Sequence, residues 1–495
     1  MILTKYNLQN INVPGLQMPG KSVFGLPEKV LQFGTGVLLR GLPDYFIDKA
    51  NRNGIFNGRV VVVKSTDGGS ATDFEKQDNL YTIYSKGIEN GKEVEEQVIC
   101  SAISRVVPAA DDWAAVLEVA RSPDLQIIIS NTTEVGIQLV KEDVHKQPPA
   151  SYPGKLLSVL YERYKAFEGN AGSGLIVIPT ELIVDNGKKL EAIVLELAHL
   201  NNLGPGFMDW LESSNTFCNS LVDRIVPGKP NELLAAGLEK ERGYTDDLHI
   251  MSETYSLWAI EGDDKVAQAL SFSQADKGVV ITPDIELFRE LKLRLLNGSH
   301  TLSCALAFLS GFNTVKEAMD DKDFLQFITN LAFKEIIPAI PYQIDLPIAE
   351  SFANNVLDRF RNPHIRHEWL SISLQYSTKI KMRVVPLLLN YFKINNSVPQ
   401  NMALGFAAFI RFMKVEQQAD GTFAGDINGK TYKVTDSQAA WFSKVWQTGD
   451  INSVVATVLK NKGLWGTDLS VLPNFKEVIS SILDKIMKNQ RIFKA

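Results

Sequence analysis

Hydrophobic and β-branched runs in the first half of the chain alternate with segments that have helical periodicity. The pattern predicts, in order, a strand, a glycine turn, a helix and a second strand, at residues 29–33, 34–36, 45–50 and 59–63. This order makes a βαβ unit, and the crossover within such a unit favours a parallel sheet. Further strands are predicted at residues 125–129 and 175–178, each preceded by a helical segment.

Residues 81–84 and 94–106 also alternate between apolar and polar positions, on either side of Asn90 and Gly91. Because an Asn-Gly pair tolerates positive φ angles, the pattern predicts an antiparallel hairpin inserted into the α/β domain. Beyond Pro283 long helical patterns dominate and β-branched runs are sparse. The sequence therefore predicts an α/β domain over residues 1–282 and a mostly α-helical domain over residues 283–495.

Composition narrows the class of protein. A chain of 495 residues is too long for a single core. Its net charge of −6 argues against a nucleic-acid surface, and its three separated cysteines favour neither a disulfide framework nor a thiolate metal site. We find no signal-like N-terminus and no apolar run long enough to span a membrane. We therefore expect a cytoplasmic protein without a membrane, nucleic-acid or metal partner.

The turn at Gly34 and Gly36 follows a predicted strand and precedes a helix. In dinucleotide-binding folds this arrangement lets backbone amides approach a pyrophosphate, and Arg40 would add a guanidinium for phosphate oxygens. Leu39 occupies the place of the third fingerprint glycine, and an ordinary strand-to-helix turn would have the same pattern. After the second strand stand Lys64 and Ser65, with Asp67 beyond, so charge alone leaves NAD and NADP open.

A second candidate site lies in the run from Lys292 to His300, where Lys292, Asn297 and His300 interrupt a leucine-rich helical pattern. In α-helical geometry Asn297 lies about 140° and His300 about 80° from Lys292, so all three share one half of the helix surface. A partly buried lysine suits general acid/base work, and Asn297 would stabilise an oxyanion. The spacing alone is equally typical of a solvated lysine followed by an Asn-Gly helix end.

Three motifs follow one another along the chain: the Gly-x-Gly-x-x-x-Arg run at residues 34–40, the run Ser-Leu-Val-Asp-Arg-Ile-Val-Pro at residues 220–227, and the Lys-x4-Asn-x2-His run at residues 292–300. Together they resemble the mannitol dehydrogenase family of polyol-specific long-chain dehydrogenases. The resemblance implies an N-terminal Rossmann-type domain, a helical C-terminal domain and an active site between them. It also implies NAD, no catalytic metal, and Lys292 as general acid/base with Asn297 and His300. The coenzyme contacts it implies are Phe33, Gly34, Thr35, Gly36, Val37, Arg40, Lys64, Asn131 and Thr132.

The chain departs from the family pattern at two places. Glu181 stands where the family commonly has an oxyanion-site asparagine, and Ser371 replaces an arginine ahead of Lys379. Residues 359–383 nevertheless hold six Lys or Arg and a single acid, Glu368. This excess favours an anionic sugar-acid substrate, although a solvated basic helix face has the same composition. Segments 129–136 and 359–366 also resemble a sugar-acid branch of the family.

We therefore expect Glu181, Asp223, Arg361 and Lys379 to contact substrate, in a monomer or weak homo-oligomer. Asp223 with Arg224 has an alternative interpretation as a structural ion pair. Alternatives for the whole chain are a dehydrogenase for another keto sugar acid or for a neutral polyol, and a nucleotide-sensing regulatory protein without chemistry.

Overall fold

The computed structural model describes residues 1–65, 71–132, 136–427 and 429–488. Asp67, the candidate ribose-binding acid, lies outside these residues, as does the 133–135 part of the sugar-acid segment. The chain forms two compact units. Unit 1 comprises residues 1–86 and 93–285, and unit 2 comprises residues 87–92 and 286–495.

Unit 1 is built around a six-stranded sheet. The strands of this unit, in chain order, are β1 (Leu16–Gln17), β2 (Glu28–Phe33), β3 (Arg59–Lys64), β4 (Tyr81–Glu89), β5 (Lys92–Cys100), β6 (Ile103–Pro108), β7 (Ile127–Ser130), β8 (Ile176–Pro179), β9 (Thr216–Phe217), β10 (Ser220–Asp223), β11 (Ile250–Ser252), β12 (Leu257–Glu261) and β13 (Val279–Thr282). The large sheet has the order β6-β3-β2-β7-β8-β9, and all its pairs are parallel. The chain winds outward from β2 in one direction and from β7 in the other, which is the doubly wound Rossmann arrangement. The predicted α/β class is confirmed.

Successive side chains of the central strands pack on opposite faces of this sheet, and both faces are apolar. Helices therefore cover both faces. Val60 and Val62 pack into one apolar cluster, while Val61 and Val63 pack into the cluster on the opposite face. Because successive side chains of a strand point to opposite faces, a continuous run of valines fits only a sheet buried on both sides. The helices of unit 1 are Val37–Gly41, Pro43–Arg52, Ala71–Lys76, Trp113–Ala120, Tyr152–Ala166, Asn186–Leu200, Pro205–Ser214, Glu232–Arg242 and Asp264–Ala269.

The hairpin prediction needs a correction. β4 and β5 are neighbours joined at Asn90 and Gly91, which have φ angles of 52° and 74°, as predicted. The second strand, however, ends at Cys100, and residues 103–108 form β6 at the edge of the large sheet. The alternating pattern at 94–106 therefore covers two strands of two different sheets. A three-stranded sheet of β10, β12 and β13 was not predicted at all.

Unit 2 is mostly helical, as predicted. Its α-helices are Glu286–Leu291, Ser299–Leu309, Val315–Asp320, Lys322–Asn330, Ile337–Ala339, Leu346–Arg361, Trp369–Ile372, Tyr376–Lys379, Val385–Asn395, Gln400–Phe412, Ala439–Trp446, Ile451–Lys460, Lys462–Trp465 and Phe475–Met487. The helical pattern beyond Pro283 is interrupted after the helix Gln400–Phe412. Val415 instead opens an antiparallel sheet of β14 (Val415–Gln417), β15 (Phe423–Ile427) and β16 (Lys430–Val434) that the sequence reading missed.

Three segments of unit 2 are π-helical: Lys292–Gly298, Leu331–Ile336 and Ile380–Val384. The first lies between the helices Glu286–Leu291 and Ser299–Leu309, so the winding of the helical backbone changes twice between residues 286 and 309. Short π-helical segments occur frequently at functional sites. The segment Lys292–Gly298 contains two of the three candidate catalytic residues.

Candidate active site

In unit 1 the strand order reverses between β2 and β7, and most of the predicted coenzyme residues lie at or just after the carboxyl ends of these two strands. Gly34 donates its amide to the Val63 carbonyl at 3.1 Å, and Asn131 donates to the Phe33 carbonyl at 3.2 Å. Gly34 has a φ of 125°, and a Cβ on it would lie 3.1 Å from the Asn131 carbonyl oxygen and 3.0 Å from Leu39. Gly34 is therefore required by the close approach of two strand ends.

The next residues fit the polar part of a dinucleotide. Within the described part of the chain, the amides of Thr35, Gly36 and Val37 donate to no other residue. Gly36 is exposed, with nothing within 4 Å of the position a Cβ would take. Unpaired amides beside open space at a sheet switch point suit a pyrophosphate, which needs donors and close backbone approach.

Three of the predicted coenzyme residues have other contacts in the structure. Arg40 is buried, with its guanidinium over the rings of Phe74 and Tyr81 and its Nη1 donating to the Leu248 carbonyl at 2.6 Å. The Phe33 side chain is buried in the sheet core, which leaves its backbone for any coenzyme contact. Lys64 is half-buried at the end of β3. The coenzyme roles of these residues stay predictions.

Glu181 lies just beyond the end of β8 and is buried, with 3% of its surface exposed. One carboxylate oxygen accepts from the amide and the hydroxyl of Thr132, at 2.7 and 2.9 Å, and the other accepts from the Ser130 hydroxyl at 3.1 Å. Asn131 donates to the Thr180 carbonyl and hydroxyl. Glu181 therefore fixes the end of β7, next to the predicted coenzyme residues Asn131 and Thr132. Its predicted contact with substrate stays a prediction.

Arg224 has a structural role within unit 1. It donates to the carbonyls of Gly41 and Glu253 and to the Ser85 hydroxyl, and its guanidinium lies over the Tyr45 ring. Burial lowers the pKa of Arg224. Asp223 ends β10 and is buried. These contacts support the structural interpretation for Arg224, whereas the substrate contact of Asp223 stays a prediction.

In unit 2, Lys292 and Asn297 are both half-buried and belong to the same π-helical segment. In π geometry each amide bonds to the carbonyl five residues earlier, so residues five apart lie about one turn apart. Lys292 and Asn297 have this spacing, so π winding brings them closer together around the helix than the angle of about 140° that α-helical winding predicts.

Arg294 anchors this segment to another part of unit 2. It forms a two-point ion pair with Glu290, at 2.9 and 3.1 Å, and both side chains are buried. The same guanidinium donates to the carbonyls of Met382 and Arg383 in the π-helical segment Ile380–Val384. Arg294 thus belongs to one π segment, Lys292–Gly298, and donates to backbone carbonyls of the other, Ile380–Val384.

His300 lies in a cluster of aromatic rings. Its ring stacks on Phe360 with centroids 4.0 Å apart and meets His367 and Trp369 edge-on at 5.1 and 6.1 Å. Burial lowers the pKa of His300 well below its usual value, and His367, Arg359, Arg383 and Lys379 lower it further. His300 is therefore neutral at physiological pH. Its buried Nε2 has no hydrogen-bond partner among the described residues.

The low pKa of His300 predicts an acid-dependent loss of stability. Because the unfolded chain binds a proton near pH 6.5 and the folded chain does not, this contribution is complete above that pH and is lost as the pH falls below it. His300→Phe keeps the stacking and removes the titration. We expect the wild type to lose up to about 2 kcal/mol more free energy of unfolding than the variant between pH 6.5 and 5, measured by chemical denaturation of both proteins at the two pH values. An equal loss of unfolding free energy in the wild type and the variant would contradict a His300 that stays neutral in the folded protein.

The structure separates the basic residues of 359–383 into two groups. Arg366 is exposed and paired with Glu368, Arg361 contacts Asp358 at 3.5 Å, and Lys381 is exposed. In contrast, Arg359, Lys379 and Arg383 are half-buried and close enough to His300 to lower its pKa. The substrate contacts of Arg361 and Lys379 both stay predictions, and the placement favours Lys379.

Arg383 is a candidate functional residue that sequence reasoning did not single out from the basic run. Its Nη1 donates to the Thr301 hydroxyl at 3.1 Å, and that hydroxyl donates to the Asn297 carbonyl at 2.7 Å. Burial lowers the pKa of Arg383 to about 10, so it remains charged at neutral pH. The available signal was its spacing of four residues from Lys379, which places two cations on one side of a helix.

The described residues contain no cluster of three or more His, Cys, Asp or Glu side chains that is arranged to hold a metal ion. None of the helices in the part of the chain that the structure describes is long and apolar enough to cross a membrane.

Both units match models of the same protein family. The Mannitol dehydrogenase Rossmann domain model matches residues 28–274, and the Mannitol dehydrogenase C-terminal domain model matches residues 284–487. The chain is 37% identical to an altronate oxidoreductase of Bacillus subtilis over 463 residues, which covers 93% of each chain. It is 38% identical to an altronate oxidoreductase of Halalkalibacterium halodurans, covering 94% of this chain and 92% of that relative. The solved mannitol 2-dehydrogenase of Pseudomonas fluorescens has the same fold, with a TM-score of 0.69 at 23% identity, covering 99% of this chain and 98% of that one.

Proposed function

Because the chain belongs to the mannitol dehydrogenase family and is an oxidoreductase acting on a CH–OH group, we propose that it interconverts D-tagaturonate and D-altronate with NAD. The names of the relatives support altronate as the alcohol. The proposed place of the reaction is hexuronate breakdown, in which a keto sugar acid is reduced to the corresponding hydroxy acid.

The proposed coenzyme site is the switch point of unit 1. The amides of Thr35, Gly36 and Val37 would bind the pyrophosphate, since they donate to no other described residue. The ends of β2 and β7 would hold the nicotinamide side near Asn131 and Thr132. The Asn131 side chain donates to the Thr180 carbonyl, and the Thr132 amide donates to Glu181. When bound, the nicotinamide supplies the hydride. We assign NAD rather than NADP on the family resemblance, since Lys64 alone leaves the choice open.

The proposed acid is Lys292. As hydride adds to the ketone carbon, the oxygen gains negative charge and takes a proton from the lysine ammonium. Asn297, on the same side of the π segment, would donate its amide to that oxygen. His300 is neutral and buried, so it would orient the lysine or a substrate hydroxyl without adding a charge. In the oxidative direction the neutral lysine would accept the hydroxyl proton.

The observation that carries the sugar-acid assignment is the group of half-buried cations at Arg359, Lys379 and Arg383 around His300. A neutral polyol needs hydrogen-bonding groups but no excess of positive charge, whereas a uronate carboxylate is stabilised by it. Among the substrate contacts predicted from the sequence, Lys379 is the proposed carboxylate ligand, and its pKa is lowered by burial and then by Arg383.

A panel of ketoses tests this function. We expect the purified protein to reduce D-tagaturonate with NADH at a higher kcat/KM than D-fructuronate or D-fructose, and to use NADPH less well than NADH. A preference for D-fructuronate would make it the reductase for that keto acid. A preference for D-fructose would overturn the carboxylate argument, and no oxidation of either coenzyme would favour a regulatory protein without chemistry.

A further inference from the structure

We propose that Arg383, acting with Lys379, is the specificity-determining ligand of the substrate carboxylate. This inference rests on the proposed function and deepens it, because it names the residue that separates a keto sugar acid from a neutral ketose. It also assigns this role to Arg383 in preference to Arg361.

The position of the Arg383 side chain is fixed by the helix that contains the candidate catalytic residues. Its Nη1 donates to Thr301 Oγ1 at 3.1 Å, and Thr301 Oγ1 donates to the Asn297 carbonyl at 2.7 Å. Thr301 is fully buried. An arginine has five N–H donors in a planar fork, so this bond leaves a further set for a carboxylate. Arg383 is therefore oriented in advance and has donors to spare.

Neither Arg383 nor Lys379 has a carboxylate partner among the described residues. Arg383 bonds to the Thr301 hydroxyl, and Lys379 Nζ donates to the Ile372 carbonyl at 2.7 Å. Other cations of unit 2 are paired, namely Arg294 with Glu290, Arg361 with Asp358 and Arg366 with Glu368. Two half-buried cations close together without an acid repel each other and lose hydration. A bound anion offsets both the repulsion and the lost hydration.

The neighbouring His300 supplies a second, independent observation. Its Nε2 is buried and has no hydrogen-bond partner among the described residues, which is uncommon for a polar atom in a protein interior. Thr301, the residue bonded to Arg383, follows it directly in the chain. A buried ring nitrogen without a hydrogen-bond partner, next to two cations without a carboxylate partner, fits a polar, negatively charged ligand at this cluster.

The ligand chemistry follows from these groups. The planar fork of an arginine matches the two oxygens of a carboxylate, and a lysine ammonium adds a point charge. The half-buried setting strengthens the interaction relative to that of an exposed pair. The predicted ligand is thus the carboxylate of a keto sugar acid, rather than a hydroxymethyl group at the same carbon.

The test compares two substrates that differ at this group, D-tagaturonate and the neutral D-tagatose, both with NADH. We expect Arg383→Gln to raise the KM for D-tagaturonate by about 100-fold and to change kcat/KM for D-tagatose by less than about 3-fold. Arg383→Lys should recover part of the lost affinity for D-tagaturonate.

Lys381→Gln removes an exposed cation of the same π segment and is the matched control. Its KM for D-tagaturonate should equal that of wild type. If D-tagatose turnover is too slow to measure, the inhibition constants of D-altronate and D-altritol are compared in place of the two KM values.

Each outcome decides the question. A KM for D-tagaturonate in Arg383→Gln equal to that of Lys381→Gln overturns the inference, as does a parallel loss with both substrates. If Arg383→Gln fails to fold, Thr301→Val removes the hydroxyl that accepts from the guanidinium and donates to the Asn297 carbonyl. It should raise the KM for D-tagaturonate about 5-fold more than the KM for D-tagatose. A wild type that does not reduce D-tagaturonate refutes the proposed function instead, which keeps the two failures distinct.

Discussion

Lys292→Ala should lower kcat for D-tagaturonate reduction by about 10³-fold while the dissociation constant for NADH stays within about twofold of wild type. The alkoxide that forms when hydride adds must be protonated as it develops, and alanine has no proton to give. Coenzyme binding is retained because the proposed coenzyme residues belong to unit 1 and Lys292 belongs to unit 2. Stopped-flow oxidation of NADH and a fluorescence titration measure the two quantities.

The matched control for this variant is Lys334→Ala. Lys334 is an exposed lysine in the π-helical segment Leu331–Ile336, so its replacement repeats the chemical change in the same kind of backbone. Turnover of this control should equal that of wild type. Added methylamine should restore part of the activity of Lys292→Ala, because a free amine can supply the missing proton. Near-normal turnover in Lys292→Ala would remove the lysine from the mechanism.

Gly36→Ala should weaken NADH binding by about tenfold or more without changing the unfolding midpoint. In the structure a methyl group at Gly36 meets nothing within 4 Å, and the backbone has a φ of −61°, which alanine adopts freely. The fold therefore tolerates the change. The bound pyrophosphate would not, since it must approach the backbone amides at that point.

Gly34→Ala is the contrasting variant. Its φ of 125° and the 3.1 Å approach to the Asn131 carbonyl predict a loss of about 2 kcal/mol in stability as well as weaker NADH binding. Calorimetry of the two alanine variants and titration with NADH separate a glycine required by the fold from one required by the ligand. Unchanged NADH affinity in Gly36→Ala would place the coenzyme elsewhere.

The sequence predicts those features that depend on local pattern. The valine run at 60–63 indicates a strand buried on both faces, and the glycine turn after 29–33 indicates the βαβ start of a Rossmann-type domain. The Asn-Gly pair at 90–91 fixes the hairpin turn through its positive φ angles. Strand order and the end of β5 at Cys100 depend on partners distant in the chain, so no local pattern contains them.

The site could be predicted less completely, for physical reasons. An α-helix and a π-helix have the same leucine-rich pattern over 292–300, so the winding that brings Lys292 and Asn297 to one side has no local signature. The basic run at 359–383 predicts positive charge, but only folding separates Arg361, which contacts Asp358, from Arg383, which does not. The sequence predicts that Glu181 contacts substrate. The structure adds that both of its carboxylate oxygens accept hydrogen bonds from residues at the end of β7.

The assignment of this protein as an NADH-dependent reductase of a keto sugar acid is tested most directly by steady-state kinetics of the wild type on D-tagaturonate and D-tagatose. The charge arrangement in unit 2 predicts a kcat/KM at least about 100-fold higher for the acid, with D-altronate as the product. Equal values for the two ketoses, or no NADH oxidation with D-tagaturonate, would contradict it.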